Sequence, residues 1–176
     1  YWTQPGYLDS LWRTANCFVQ ARCFPNVNGP QQVMVVAMIA HEDGIGLATA
    51  MQHAYFVHGR LCWSATYLLM RAEMSGTVEE FDVVTSTDRE CVIRCKRKGR
   101  TRKNVSFKIE EAERAELVKG GGNWKKWPVE MLLARCIARA LRQEWRSIMG
   151  GKYVPEEMGE TLPEEAILAN ARDARQ

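Results

Sequence analysis

The chain has 176 residues, of which 46% are hydrophobic and 26% charged, a composition typical of one globular domain. Its 24 lysines and arginines exceed its 21 acids, giving a formal net charge of +3. No apolar run is long enough for a transmembrane helix, and the start lacks the basic and then apolar pattern of a signal peptide. We therefore expect a cytoplasmic protein without a membrane partner. Because the chain begins with Tyr1, we also expect an excerpt of a longer protein.

The first part of the chain predicts two helices. Residues at helical spacing run from Leu8 through Val19, all of them apolar, to Arg22, and Pro25 ends this element. A second apolar-striped helix begins near Gln31 and ends before Gly44.

A hairpin and a third helix follow. Residues 54–57 and 60–63 are short β-prone runs around His58-Gly59, which fits a two-residue turn. Ser64 is placed to cap a helix that runs to about residue 74.

Three strand-like runs come next, at residues 81–85, 91–98 and 104–109. Apolar and polar residues alternate in the second and third runs, which predicts antiparallel strands with one solvated face. Residues 94–103 contain seven basic residues and no acid, so the densest basic run caps a hairpin. Its cations Lys98, Arg100 and Lys103 form either a DNA clamp or a solubilising loop.

The strongest predicted helix covers residues 128–148 and begins at Pro128. At 100° per residue, four arginines fall within about 60° of one another. They are Arg135, Arg139, Arg142 and Arg146. Such a stripe favours a row of phosphates, because guanidinium groups match phosphate oxygens with paired donors. The alternative is that these arginines pair with acids elsewhere in the fold, for example within residues 110–116.

The segment before this helix interleaves aromatic and basic residues: Trp124, Lys125, Lys126 and Trp127 follow three glycines. Lysines neutralise a backbone while an indole can stack on a base, which suits a single strand. Equally, the tryptophans can be core anchors. The basic and acidic residues are also segregated, with eight basic residues against two acids in residues 119–152 and six acids after Tyr153. This segregation favours a polyanion partner over solvated basic elements that bind nothing.

No pattern in the sequence indicates catalysis or a cofactor. The six cysteines show no paired CxxC spacing, so we expect free thiols, buried or half-buried, and not a zinc site. His41, Glu42 and Asp43 are consecutive, which fits a solvated helix end better than convergence on one metal ion. No phosphate-binding glycine loop for ATP is present. A capping box at Thr161 and Glu164 predicts a last helix over residues 161–172.

The basic helix carries a family resemblance. The stretch Asn-Trp-Lys-Lys-Trp-Pro-Val-Glu-Met-Leu-Leu-Ala-Arg at residues 123–135, the second basic residue Arg142, and Gly-Lys-Tyr followed by an acidic pair at residues 151–157 resemble the signature of the RecT/Redβ single-strand annealing proteins. The order of elements extends the resemblance to about residues 31–160.

The resemblance implies an α+β fold: a small antiparallel sheet, made of a hairpin and a three-stranded meander, packs with helices and a long basic helix near the C-terminus. It implies one DNA-binding core domain over residues 1–176, without the family's C-terminal host-interaction domain. It also implies a non-enzymatic protein without cofactors that binds single-stranded DNA and anneals complementary strands through a duplex intermediate. The resemblance further implies a homo-oligomeric ring or filament in a bacterial host cell. It also implies a phage exonuclease and a host single-strand binding protein as partners.

Matched by position, the resemblance places several residues at the nucleic acid. These are Trp124, Lys125, Lys126, Arg135, Arg142, Lys152 and, loosely, Gln52 and His53. Val129 departs from relatives that have a basic residue there, and Arg139 is the expected compensation. We expect Arg135→Ala and Arg142→Ala each to weaken single-strand binding and to lower its salt dependence.

Three other functions remain open from the sequence. One is a non-annealing nucleic-acid-binding protein, either a single-strand coat or a regulator whose basic helix enters the major groove of a duplex. Another is a metal-dependent nuclease that uses His41, Glu42 or Asp43. The third is an interaction protein with an acidic partner.

Overall fold

The computed structural model describes residues 4–118 and 122–158, together with residues 168 and 172. The chain groups into two compact units, Tyr1–Arg60 and Leu61–Gln176. The α+β class predicted from the sequence is confirmed. The single domain over residues 1–176 stays a prediction, and the predicted helix over residues 161–172 lies outside the described residues, apart from two positions.

In its described residues, the first unit contains helices α1 (Tyr7–Ala21), α2 (Pro30–Glu42) and α3 (Leu47–His53) and strand β1 (Ala54–Val57). Helices α1 and α2 pack on each other, and α2 packs on α3. Val33, Val36 and Ala40 form the buried stripe of α2, as its spacing predicts. The short α3 was not predicted, because it has fewer than two full apolar repeats.

The predicted hairpin is confirmed. Strand β1 and strand β2 (Arg60–Trp63) form a two-stranded antiparallel sheet. Its turn residues His58 and Gly59 have φ values of 49° and 76°, the left-handed pair that a tight hairpin turn requires.

The second unit opens with α4 (Ala65–Met74), and Ser64 caps this helix as predicted. The Ser64 hydroxyl accepts a hydrogen bond from the backbone N–H of Tyr67 at 3.1 Å. That bond satisfies one of the N–H groups that the first helical turn leaves without a backbone partner.

A three-stranded antiparallel sheet follows α4: β3 (Val78–Ser86), β4 (Glu90–Arg97) and β5 (Lys103–Lys108), in that order. In β4, Cys91, Ile93 and Cys95 are buried while the residues between them are partly exposed, so the predicted alternation is confirmed. The turn after β4 contains Lys98 and Arg100, which places the basic run at one end of the sheet.

Helix α5 (Ile109–Arg114), helix α6 (Asn123–Lys126) and helix α7 (Pro128–Glu144) come next. Helix α7 packs on β4 and β5 on one side and on α4 on another. Its buried residues go well beyond one narrow stripe; they are Met131, Leu132, Leu133, Cys136, Ile137, Ala138, Ala140, Leu141 and Glu144. Helix α7 is therefore a central helix of the second unit.

The prediction of one helix over residues 128–148 is wrong at its end. Helix α7 stops at Glu144, and Trp145 has φ −124° and ψ 47° before α8 (Arg146–Met149) begins. The Trp145 side chain is fully buried, and its indole N–H donates to the Thr77 hydroxyl at 3.0 Å. Burying this large ring outweighs one more helical turn, and the break removes Arg146 from the arginine stripe.

Candidate nucleic-acid interface

Three arginines of α7 form the first group of cations, which we call the paired arginine face: Arg135, Arg139 and Arg142 with Glu111 and Glu157. The Glu157 carboxylate bridges two of these arginines, because its Oε1 lies 3.0 Å from Arg135 Nη1 and its Oε2 contacts Arg142 Nη2. Glu157 is held in place in turn by the backbone N–H of Val154, which donates to Oε2 at 3.1 Å.

Arg139 makes a separate ion pair. Its two terminal nitrogens contact the two carboxylate oxygens of Glu111 at 3.1 and 2.6 Å, and Nη1 also donates to the Ser106 carbonyl at 2.7 Å. The Arg139 hydrogen bonds lower the pKa of Glu111, and they outweigh the opposing effect of burial. The guanidinium groups of Arg139 and Arg135 lie 4.4 and 4.9 Å from the centre of the Phe107 ring.

These contacts weaken the interpretation of the arginine stripe on α7 as a phosphate site. Three guanidinium groups meet two carboxylates, so most of their charge is neutralised within the fold. This geometry fits the alternative given by the sequence, in which the arginines pair with acids elsewhere in the fold. Glu111 lies within residues 110–116, where such acids were expected, and Glu157 lies outside that segment. Burial also lowers the pKa of Arg135, while the charge of Glu157 raises it.

The second group of cations, which we call the basic pocket, lies at the basic end of the sheet. Arg97, Arg100, Lys103 and Arg146 line a cavity of about 380 Å³, together with Gln143, Glu144 and Ser147. Arg97 and Lys103 come from the facing ends of β4 and β5, Arg100 from the turn between them, and Arg146 from α8. The break at Trp145 thus brings Arg146 to the hairpin instead of to the other arginines.

Among the described residues, one carboxylate belongs to the basic pocket. Glu144 is buried, and its Oε1 accepts from Lys103 Nζ at 2.5 Å. Its backbone carbonyl accepts from Arg97 Nη1 at 2.7 Å. Burial, together with the negative charge of Glu144, raises the pKa of the Cys95 thiol to about 11.

Arg100 and Arg146 differ from the cations of the paired arginine face. Both are exposed, and within the described residues neither lies within 4.0 Å of a carboxylate oxygen. Like charges so placed repel one another, and an incoming anion relieves that repulsion. The basic pocket is therefore the stronger anion-binding geometry of the two groups.

The remaining predicted residues are placed as follows. Lys98 is exposed at the hairpin turn but does not line the cavity, and Lys125 and Lys126 are exposed on α6. Lys152 is half-buried, and its carbonyl accepts from Arg142 Nη2 at 3.1 Å. Gln52 is exposed and His53 half-buried at the end of α3, in the first unit.

Trp124 does not fit the expected stacking role. The residue is only 5% exposed, so its ring offers no open face to a base and it is a core anchor. Contact of Trp124 with DNA stays a prediction, without support from this geometry. Trp127 in the same segment is half-buried.

Sequence reasoning did not single out two residues of the basic pocket, Arg97 and Glu144. One signal was available for Glu144. An acid in the last turn of a helix lies next to the negative end of the helix dipole, which is unfavourable unless a cation is near.

The described part of the chain contains no group of three or more histidines, cysteines or acids placed to hold a metal ion. In that part, no single helix is long and apolar enough to cross a membrane. Taken together, α2 and α3 are long and apolar enough, but they are bent by 115° relative to each other. Comparisons of the chain with protein-family models, with curated proteins and with solved structures found no match.

Proposed function

We propose that this chain binds single-stranded DNA and promotes annealing of complementary strands without ATP. The resemblance of residues 123–142 and 151–157 to the RecT/Redβ signature supports the annealing step and an oligomeric ring or filament. The same resemblance supports a role in phage-type recombination in a bacterial cell, with an exonuclease and a host single-strand binding protein as partners. No catalytic step belongs to this proposal.

The observation that carries the binding part is the basic pocket. Four cations surround one buried carboxylate, and in the described residues no carboxylate oxygen lies within 4.0 Å of two of these cations, Arg100 and Arg146. Arginine and lysine contacts to phosphate position a strand without reading its sequence, which leaves the base edges free to pair. Lys98, exposed at the same turn, adds to the local positive charge.

The rival of a duplex-reading regulator is less well supported. Its mechanism requires α7 to enter a major groove, but α7 is buried against β4, β5 and α4. The paired arginine face is a partly exposed side of α7, but its arginines are held by Glu111 and Glu157. A single strand laid along exposed cations requires no such insertion.

The direct test is a fluorescence annealing assay with two complementary oligonucleotides and no ATP, together with negative-stain microscopy. We expect the full chain to accelerate pairing and to form rings or filaments. The double variant Arg100→Gln/Arg146→Gln should lose most of the acceleration. Arg89→Gln is the matched control, because Arg89 is an exposed arginine just before the other end of β4, roughly 25 Å from Arg97.

Two outcomes would count against the proposal. If the wild-type chain binds oligonucleotides but does not accelerate pairing, the annealing function is wrong and a coating function replaces it. If Arg89→Gln reduces single-strand binding as strongly as the double variant, the basic pocket is not the binding site. Specific binding to a duplex at physiological salt would instead favour the regulator.

A further inference from the structure

A buried acid forms part of the wall of the basic pocket. Glu144 is 3% exposed, whereas the side chain of its ion-pair partner Lys103 is 47% exposed. Burying a carboxylate costs free energy unless hydrogen bonds and opposite charges compensate it. Glu144 also ends α7, where the helix dipole adds to that cost. Its position therefore depends on the cations that surround it.

Glu144 contacts two of the four cations through different atoms. Lys103 Nζ donates to its carboxylate, and Arg97 Nη1 donates to its backbone carbonyl. Together these bonds tie the facing ends of β5 and β4 to the end of α7. The long side chains of Arg97 and Lys103 are thus held at the cavity wall before any ligand arrives. Binding an anion therefore costs less conformational entropy.

The other two cations complete the arrangement. Arg100 and Arg146 are exposed at the same cavity, on a turn and on a separate helix. The Glu144 carboxylate offsets one of four positive charges, so an excess remains for an anion. Its second oxygen, Oε2, is buried and accepts no hydrogen bond from the described residues.

We infer that the basic pocket is a preorganised phosphate site in which Glu144 is a positioning residue for Arg97 and Lys103, and Arg100 and Arg146 bind the anion. The ligand chemistry is that of a phosphate group with charged oxygens, which guanidinium groups recognise through paired donors. That this phosphate belongs to a nucleic-acid strand rests on the proposed function. Free phosphate is the other source of the same chemistry.

The variant Glu144→Gln distinguishes a preorganised site from a diffuse basic patch, because the two predict opposite changes in affinity for an oligothymidylate. The substitution removes one negative charge, so a diffuse patch predicts tighter binding of an oligothymidylate. A positioning role predicts weaker binding, because the neutral amide of glutamine holds the Lys103 ammonium less firmly than the carboxylate does. We expect affinity to fall about five- to tenfold at low salt, the scale of one ordinary hydrogen bond.

Asp88→Asn is the matched control for charge. Asp88 is exposed in the turn before β4, at the end of the sheet away from the basic pocket, and this change also removes one acid. We expect it to leave affinity unchanged or to raise it slightly. If Glu144→Gln binds the oligothymidylate as tightly as Asp88→Asn or more tightly, the positioning role is wrong.

A second measurement on the wild-type chain keeps the inference testable if Glu144→Gln does not fold. Inorganic phosphate is titrated while the side-chain N–H signals of arginine are followed by NMR. We expect Arg97, Arg100 and Arg146 to shift together and to saturate, while Arg89 and Arg114 stay in place. Equal, unsaturated shifts at all five arginines would mean that phosphate has no site here, which overturns the inference.

The two ligand sources also separate this inference from the proposed function. Saturable phosphate binding at the basic pocket without any oligonucleotide binding would support the phosphate site and overturn the proposed function. Oligonucleotide binding and annealing that Glu144→Gln leaves intact, with no phosphate response in the three pocket arginines, would overturn the phosphate site while the proposed function stands.

Discussion

The paired arginine face and the basic pocket lie in the same unit and have similar numbers of cations, but they differ in how far carboxylates neutralise that charge. Arg135, Arg139 and Arg142 meet two carboxylates, so most of their charge is neutralised within the fold, and Arg139 also lies over a phenylalanine ring. In the described part of the chain, the basic pocket has four cations and one carboxylate, with Arg100 and Arg146 open to solvent.

The difference lies in which acids the tertiary structure brings near. Glu111 follows β5, and Glu157 belongs to a short 3₁₀ turn, Pro155–Glu157, that packs on α7. Neither is a sequence neighbour of the arginines it neutralises. A regular stripe of like charges on a helix is thus weak evidence for an external ligand, whereas exposed cations from separate elements around one cavity are stronger evidence. Four changes would break or sharpen this comparison.

The largest expected effect is on stability, from Arg135→Ala. The side chains of Arg135 and Glu157 are 18% and 14% exposed, so removing the arginine leaves Glu157 with one fewer partner in a partly buried site. We expect a loss of about 3 kcal/mol in the free energy of unfolding, measured by urea denaturation. Adding Glu157→Gln should recover part of the loss. A loss below about 1 kcal/mol would mean that these arginines are not structural.

The second prediction concerns Glu156, next to Glu157. Burial raises the pKa of Glu156 to about 7, above its ordinary value of 4.5, so the folded chain holds this proton more tightly than the unfolded chain. The stability contribution is complete below about pH 4.5 and is lost as the pH rises to about 7. Glu156→Gln should therefore gain about 1–3 kcal/mol relative to wild type at pH 8, but not at pH 4. A difference that does not change with pH would contradict a raised pKa.

The third prediction concerns single-strand affinity. Arg146→Gln should weaken oligothymidylate binding about tenfold, or about 1.4 kcal/mol, and lower the salt slope by about 0.7. Because Arg146 is exposed and makes no ion pair within the described residues, stability should not change. Fluorescence anisotropy across a salt series measures both quantities. Arg89→Gln is the control again, and equal losses in the two variants would remove the distinction between the basic pocket and the rest of the surface.

The smallest effect is expected from Glu111→Gln, which removes the carboxylate paired with Arg139 and makes the paired arginine face more like the basic pocket. Oligonucleotide affinity should rise about two- to threefold at low salt, and the gain should disappear at high salt because exposed charges are screened. Titration by anisotropy at two salt concentrations tests this. A rise of tenfold or more would show that the paired arginine face is a main DNA site that Glu111 blocks.

Much of the fold could be predicted from local patterns. The His58-Gly59 turn, the Ser64 cap and the alternation of Cys91, Ile93 and Cys95 are each decided by neighbouring residues, and each is confirmed. The end of α7 could not be predicted in this way. Its helical periodicity continues through Arg146, but the core takes up the Trp145 ring against Phe81 and Thr77.

For the candidate site, the sequence by itself determined that residues 94–103 form a basic hairpin end and that arginines share one side of α7, although the predicted stripe of four included Arg146, which lies beyond the end of α7. Both follow from short-range periodicity, which a chain imposes on itself. Only the tertiary structure decided which cations stay free. Ion pairs such as Arg139 with Glu111 and Arg135 with Glu157 join residues 28 and 22 positions apart in sequence, and the turn at Trp145 brings Arg146 to the hairpin. Charge neutralisation acts between atoms a few ångströms apart in space, so its outcome depends on packing that no local pattern contains.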